Sequence, residues 1–170
     1  TAYLLKQHYN CSVVGLTSQG NKAFVKELGC YDEIVGYDEI ASLDKQAAAV
    51  YVDMAGSADI RSQIHHHYQD NLKYSCSVGI THWQQGPAEG ELPGPKPEMF
   101  FAPSQLQKRS KDWGADGLNQ RLNDAWNSLL PHMEGRLKIQ SSSGKDEVER
   151  VYQATLDGTA DPSVGYVLSL

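Results

Sequence analysis

The chain has 170 residues, with 15 Lys and Arg against 21 Asp and Glu, giving a formal charge of −6. That length suits one domain, and a hydrophobic share of 40% places it with globular rather than disordered chains. No basic stripe offsets the acidic balance, which argues against nucleic acid as the main partner. No stretch approaches the roughly 18 apolar residues of a membrane span, so no membrane partner is expected. Cys11, Cys30 and Cys76 are too few and scattered for a disulfide framework or a CxxC zinc site. With no signal sequence ahead of them, they point to a reducing, cytoplasmic setting.

The chain opens TAYLLKQH, the rear of a helix over residues 1–9, with Ala2, Leu5 and Tyr9 at helical spacing. CSVVGLT (11–17) reads as a buried strand, then Ser18, Gly20 and Asn21 as turn residues. KAFVKELG is a short helix stopped at Gly29, EIVGY (33–37) a second strand, and AAAVYVDMAG (47–56) a third. Residues 57–70 carry Ile60, Ile64, His67 and Tyr68 on one helical stripe, and LKYSCSVGI (72–80) makes a fourth strand. Between Gly86 and Pro103, five prolines and three glycines interrupt all periodicity, so irregular chain is expected there. Two amphipathic helices follow, one at 118–130 with Leu118, Leu122, Trp126 and Leu130, the other at 145–156 with Val148, Val151 and Tyr152. VGYVLSL closes the chain as a strand. Strands alternating with helices, several of them apolar throughout, predict an α/β fold with a doubly wound parallel sheet.

In such a sheet, ligands sit beyond the carboxyl ends of the strands. The first strand here ends in Thr17-Ser18 and is followed by Lys22, with no carboxylate between. Hydroxyls and an ammonium suit a 2′-phosphate, which a carboxylate would repel. Ser18 as a plain helix cap and Lys22 as a solvated lysine remain the simpler alternative.

KAFVKELGCYDEIVGY places Lys22, Leu28, Gly29, Asp32 and Tyr37 at a spacing that resembles the medium-chain dehydrogenase/reductase superfamily, in its zinc-independent quinone-oxidoreductase-like branch. The resemblance implies a Rossmann-type domain that binds NADP(H) without zinc. It implies that Ser18, Lys22 and Tyr37 grip the 2′-phosphate beside Thr17. VDMAG, with Asp53 and Ala55, then passes the nicotinamide and its ribose, and VGITHW, with Gly79 and Thr81, lines the nicotinamide pocket. More narrowly, TSQGNKAFVKELG, VDMAG, VGITHW and FFAPSQLQKRSKDWG resemble a bacterial and fungal family of uncharacterised quinone-reductase-like proteins over nearly the whole chain. The implied activity is hydride transfer from NADPH to a small activated alkene or quinone. Members of the superfamily often dimerise through the last strand, so a homodimer through residues 164–170 is expected.

The superfamily's Gly-rich turn, its first strand and its barrel-like domain belong ahead of Thr1. The chain therefore reads as one partial NADP-binding Rossmann-type domain over 1–170, with a Pro/Gly-rich excursion at 84–103. Strands 12–17 and 33–37 then lack a neighbour joining them to the rest, which predicts a rearranged sheet, a borrowed strand or a chain trimmed from a larger protein. This chain alone is expected to be inactive, and no residue is assigned as catalytic. The alternative reading is a non-catalytic Rossmann-like interaction or sensing module. His65, His66 and His67 point about 100° apart on a helix and cannot chelate one ion. His67 is expected on the apolar stripe and the other two toward solvent. Asp53 is read as a strand-end capper, and His82-Trp83 as a possible stacking pair after the fourth strand.

Overall fold

A computed structural model of the chain describes residues 1–79 and 91–170. It is a mixed α/β chain with small parallel sheets. In order the elements are α1 (Ala2–His8), β1 (Val14–Thr17), α2 (Lys22–Glu27), β2 (Glu33–Gly36), β3 (Ala49–Asp53) and α3 (Ala58–Tyr68). Next come β4 (Leu72–Ser77), β5 (Glu98–Met99), α4 (Ala102–Met133), β6 (Lys138–Ser143), α5 (Lys145–Leu156) and β7 (Val164–Ser169). Two compact units are distinguished, Thr1–Val35 with Arg121–Leu170, and Gly36–Gln120.

The strands form three ladders, β1–β2, β3–β4–β5 and β6–β7, where the sequence predicts one continuous doubly wound sheet. Among the described residues β1 and β2 pair only with each other.

In the second unit β3 and β4 run parallel from Ala49↔Leu72 to Asp53↔Ser77, and β5 adds Cys76↔Glu98 and Ser77↔Met99. The core gathers Ile40, Leu43, Ala58, Ile64, Leu72 and Cys76. Ser57 caps α3, its hydroxyl accepting from the Ile60 amide at 3.4 Å. The helix ends at Gln69, whose φ of 48° is a left-handed conformation rare outside glycine. α3 turns Ala58, Ile64 and His65 inward, so His65 is fully buried rather than solvated. His66 is exposed, and half-buried His67 donates from Nε2 to the Leu43 carbonyl at 3.0 Å.

In the first unit β6 and β7 are parallel from Lys138↔Val164 to Ser143↔Ser169, joined by α5, which buries Val151. Lys6 pairs with Asp32, whose other oxygen accepts from the Val13 amide at 2.8 Å, tying α1 to the entry of β1. Tyr3 donates to the Ser128 carbonyl at 2.8 Å, and Arg136 Nε to the Glu27 carbonyl at 2.9 Å.

Three elements depart from expectation. β6 has the sequence KIQSSS, with one apolar residue and no alternation, so only its register against β7 makes it a strand. β5 lies inside the Pro-rich excursion. α4 begins sixteen residues earlier than the predicted helix, at Ala102 against 118, and is broken at Gly114, where φ is 72° and ψ 164°. It buries none of its residues, and Leu122, Trp126 and Leu130 stay about half-exposed. Their stripe is amphipathic as read, but burial requires a covering element as well as a pattern. Among the described residues no helix is long and apolar enough to cross a membrane.

Candidate functional site

In the first unit β1 ends at buried Thr17. Ser18 continues in extended conformation, φ −69° and ψ 155°, into a single 3-10 turn, and α2 starts at Lys22. The Ser18 side chain makes no cap bond and is exposed, so the plain capping role is not what places it there. Half-buried Lys22 follows at the first turn of α2. Two hydroxyls and one ammonium thus stand at the carboxyl end of a strand, with no acid from Val14 to Lys22. Behind them Gly15 admits a close ring. A Cβ there would lie 2.9 Å from Tyr31 Cδ1, and burial pushes the Tyr31 hydroxyl above its ordinary range.

In the second unit the ends of β3 and β4 are fused around Asp53. Its carboxylate is 2% exposed, so every lone pair must find a donor inside the protein. Oδ1 accepts from the Gly56 amide at 2.7 Å, and Oδ2 faces Arg61 Nη1 at 3.4 Å. Tyr51 also hydrogen-bonds the carboxylate, and burial first, then that negative charge, drives the Tyr51 hydroxyl far above its ordinary range. The Tyr37 hydroxyl is raised for the same two reasons, burial and the Asp53 charge. These groups form a capped, charge-paired brace that stays protonated on both tyrosines through the physiological range. The Asp53 carbonyl accepts from the amides of Val78 and Gly79 at 2.8 and 3.2 Å. A Cβ on Gly79 would fall 1.8 Å from the Met54 carbonyl oxygen, so only glycine lets β4 pass β3 this closely.

Of the residues singled out in the sequence, Thr17, Ser18 and Lys22 share the turn after β1. Tyr37, Asp53, Ala55 and Gly79 belong to the second unit, where Asp53, Ala55 and Gly79 share one sheet edge and Tyr37 feels the Asp53 charge. Thr81, His82 and Trp83 lie outside the described residues. Asp53 is the strand-end capper predicted, through its bond to Gly56.

Sequence reasoning missed Tyr51 and Arg61. Arg61 lies eight residues past Asp53, one turn into the helix that follows the strand, and that spacing could have pointed to it. It also missed two polar clusters. Fully buried His65 bonds through Nδ1 to the Pro93 carbonyl at 2.8 Å and through Nε2 to Ser75 Oγ at 2.9 Å. A carbonyl only accepts, so Nδ1 carries the proton and Nε2 accepts from the Ser75 hydroxyl. In the first unit His132 Nε2 donates to the Leu28 carbonyl at 2.7 Å and lies 3.2 Å from Cys30 Sγ. Burial raises the Cys30 thiol, so this pair keeps a neutral thiol and is structural. Among the described residues no three His, Cys, Asp or Glu groups are placed to hold a metal ion.

No curated protein matches the chain. The family model described as "Protein of unknown function (DUF2855)" covers residues 1–161, nearly the full length, and the chain belongs to that family.

Proposed function

We propose that the chain is the NADP(H)-binding part of a zinc-independent, quinone-reductase-like oxidoreductase with a Rossmann-type, doubly wound ancestry, working in the cytoplasm. The observation that carries this reading is the turn after β1, which sets Thr17, Ser18 and Lys22 at the carboxyl end of a strand with no acidic residue from Val14 to Lys22. That donor set fits a phosphate monoester on a ribose better than a ribose diol, which calls for an acceptor. The parallel ends of β3 and β4, drawn together by Gly79 and braced by Asp53, support it as a flat backbone edge of the kind that dinucleotides lie across. When bound, the dinucleotide supplies a hydride to an activated alkene or quinone, which then takes a proton from water.

The roles left to this chain are binding and placement. Lys22 and Ser18 neutralise and hydrogen-bond the phosphate, while Ala55 and Gly79 keep the edge free of side-chain bulk. A dimer formed through β7, which among the described residues pairs only with β6, completes the reading, and light scattering of a monomer would remove that part. Exchanging both Ser18 and Lys22 for Ala tests the phosphate grip. NADPH affinity should fall at least tenfold while NADH affinity changes less than threefold. Equal losses for the two dinucleotides would remove the assignment.

A further inference from the structure

Within the first unit, α4 has a fixed back and an open front. From Arg121 to Met133 the helix runs on without a break, its kink lying upstream at Gly114. The back is tied to α1 and to the end of α2. The Tyr3 hydroxyl donates to the Ser128 carbonyl at 2.8 Å, His132 Nε2 donates to the Leu28 carbonyl at 2.7 Å, and the Tyr3 and His132 rings lie 4.6 Å apart. At about 100° per residue, Leu122 and Leu130 fall within about 40° of Trp126, whereas Ser128 and His132 fall more than about 100° away. Leu122, Trp126 and Leu130 are therefore one ridge at i, i+4 and i+8, and they are 51%, 60% and 48% exposed. A ridge of this kind, held rigidly in water, is costly unless something apolar covers it.

Charge and shape decide what can cover it. The chain carries a formal charge of −6, so two copies repel over much of their surfaces. The ridge is free of that repulsion. Arg121 and Asp124, the formally charged residues between Arg121 and Met133, point about 140° or more away from Trp126, and the ridge is bordered by Asn123 and Asn127. An anionic lipid surface or a nucleic acid finds no facing cation there. Small molecules take concave sites, and a helix ridge is convex. Another helix suits it, because ridges at i±4 spacing interdigitate at a crossing of about 50°. The borders favour an identical helix, since an amide both donates and accepts and so matches its own copy.

We propose that this ridge docks on the same ridge of a second copy of the chain across a two-fold axis, with the two Trp126 side chains meeting at the crossing. The contact is isologous, so one patch serves both partners and the pair closes. It does not rest on the cofactor reading, and it lies on a different element from the β7 pairing.

Sedimentation equilibrium of the whole chain over a range of concentrations tests it. The unaltered chain should self-associate. Trp126→Lys and Trp126→Glu each change a mostly exposed side chain, so circular dichroism should stay the same while association weakens at least tenfold, because like charges then face each other. An equimolar mixture of the two variants should regain association, since opposite charges meet at the crossing. Leu122→Lys should also weaken association, and Leu106→Ala, on α4 outside the ridge, should leave it unchanged. A monomeric unaltered chain would overturn the proposal and leave the ridge to a different protein. Association that survives both Trp126 variants would overturn it and place the contact on β7 or elsewhere. Loss in both variants with no recovery on mixing would overturn it as well, because the ridge would then meet some surface other than itself.

Discussion

Removing the His65 imidazole tests how the second unit is held together. His65 and Ser75 are both fully buried, and the ring joins α3 to β4 through Ser75 at 2.9 Å and to the chain entering β5 through Pro93 at 2.8 Å. His65→Ala strips both bonds at once. The Ser75 hydroxyl and the Pro93 carbonyl each lose a partner, at about 1–3 kcal/mol per buried group left unpaired. Water entering the space vacated by the ring recovers part of this, so a net loss of about 2–5 kcal/mol is expected. In a chain of this size that lowers Tm by roughly 5–15 °C. Urea unfolding followed by circular dichroism measures the loss, and a cycle with Ser75→Ala isolates the pairwise part, which should exceed about 0.5 kcal/mol. His65→Gln, whose amide can donate to Pro93 and accept from Ser75, should recover a good share. A His65→Ala loss under about 0.5 kcal/mol would show that the ring is not the tie described, because surface substitutions alone reach that size.

Gly79→Ala forces a methyl group against the Met54 carbonyl and must move backbone, costing about 1–3 kcal/mol in thermal or urea unfolding. An unchanged midpoint would mean that the β3 and β4 ends are not drawn together there. Asp32 is held below the ordinary carboxyl range, first by its bond to Lys6 and then by the Val13 amide. Because its folded value is lowered, its contribution to stability is full above the unfolded value of about 3.9 and disappears as pH falls toward the folded one. Asp32→Asn should therefore flatten the acid limb of the urea midpoint between about pH 5 and pH 2, and an acid limb like that of the unaltered chain would refute the pairing.

The elements most legible in the sequence are those whose pattern is local. α5 occupies 145–156 as its stripe of Val148, Val151 and Tyr152 demands, and α3 starts one residue after its Ser57 cap. β5 and β6 were not legible, since EM and KIQSSS carry no period-2 pattern and become strands only by pairing with β4 and β7. His65 was misplaced for a related reason. The three adjacent histidines point about 100° apart, and the stripe of Ile60, Ile64 and Tyr68 favours His67, but the contact of α3 with Ser75 on β4 buries His65 instead. The site divides in the same way. The hydroxyl-and-lysine turn after β1 is contiguous and readable, whereas Tyr51, Arg61 and Asp53 meet through the return of a helix over a strand. The Ser75–His65–Pro93 tie spans 28 residues from His65 to Pro93 and has no sequence signature.

Calorimetric titration of the chain with NADPH and then NADH, at modest salt, decides whether the turn after β1 grips a 2′-phosphate. Micromolar affinity for NADPH and at least tenfold weaker binding of NADH are expected, a gap of about 1.4 kcal/mol carried by the phosphate. Equal affinities, or no heat from either dinucleotide, would contradict it.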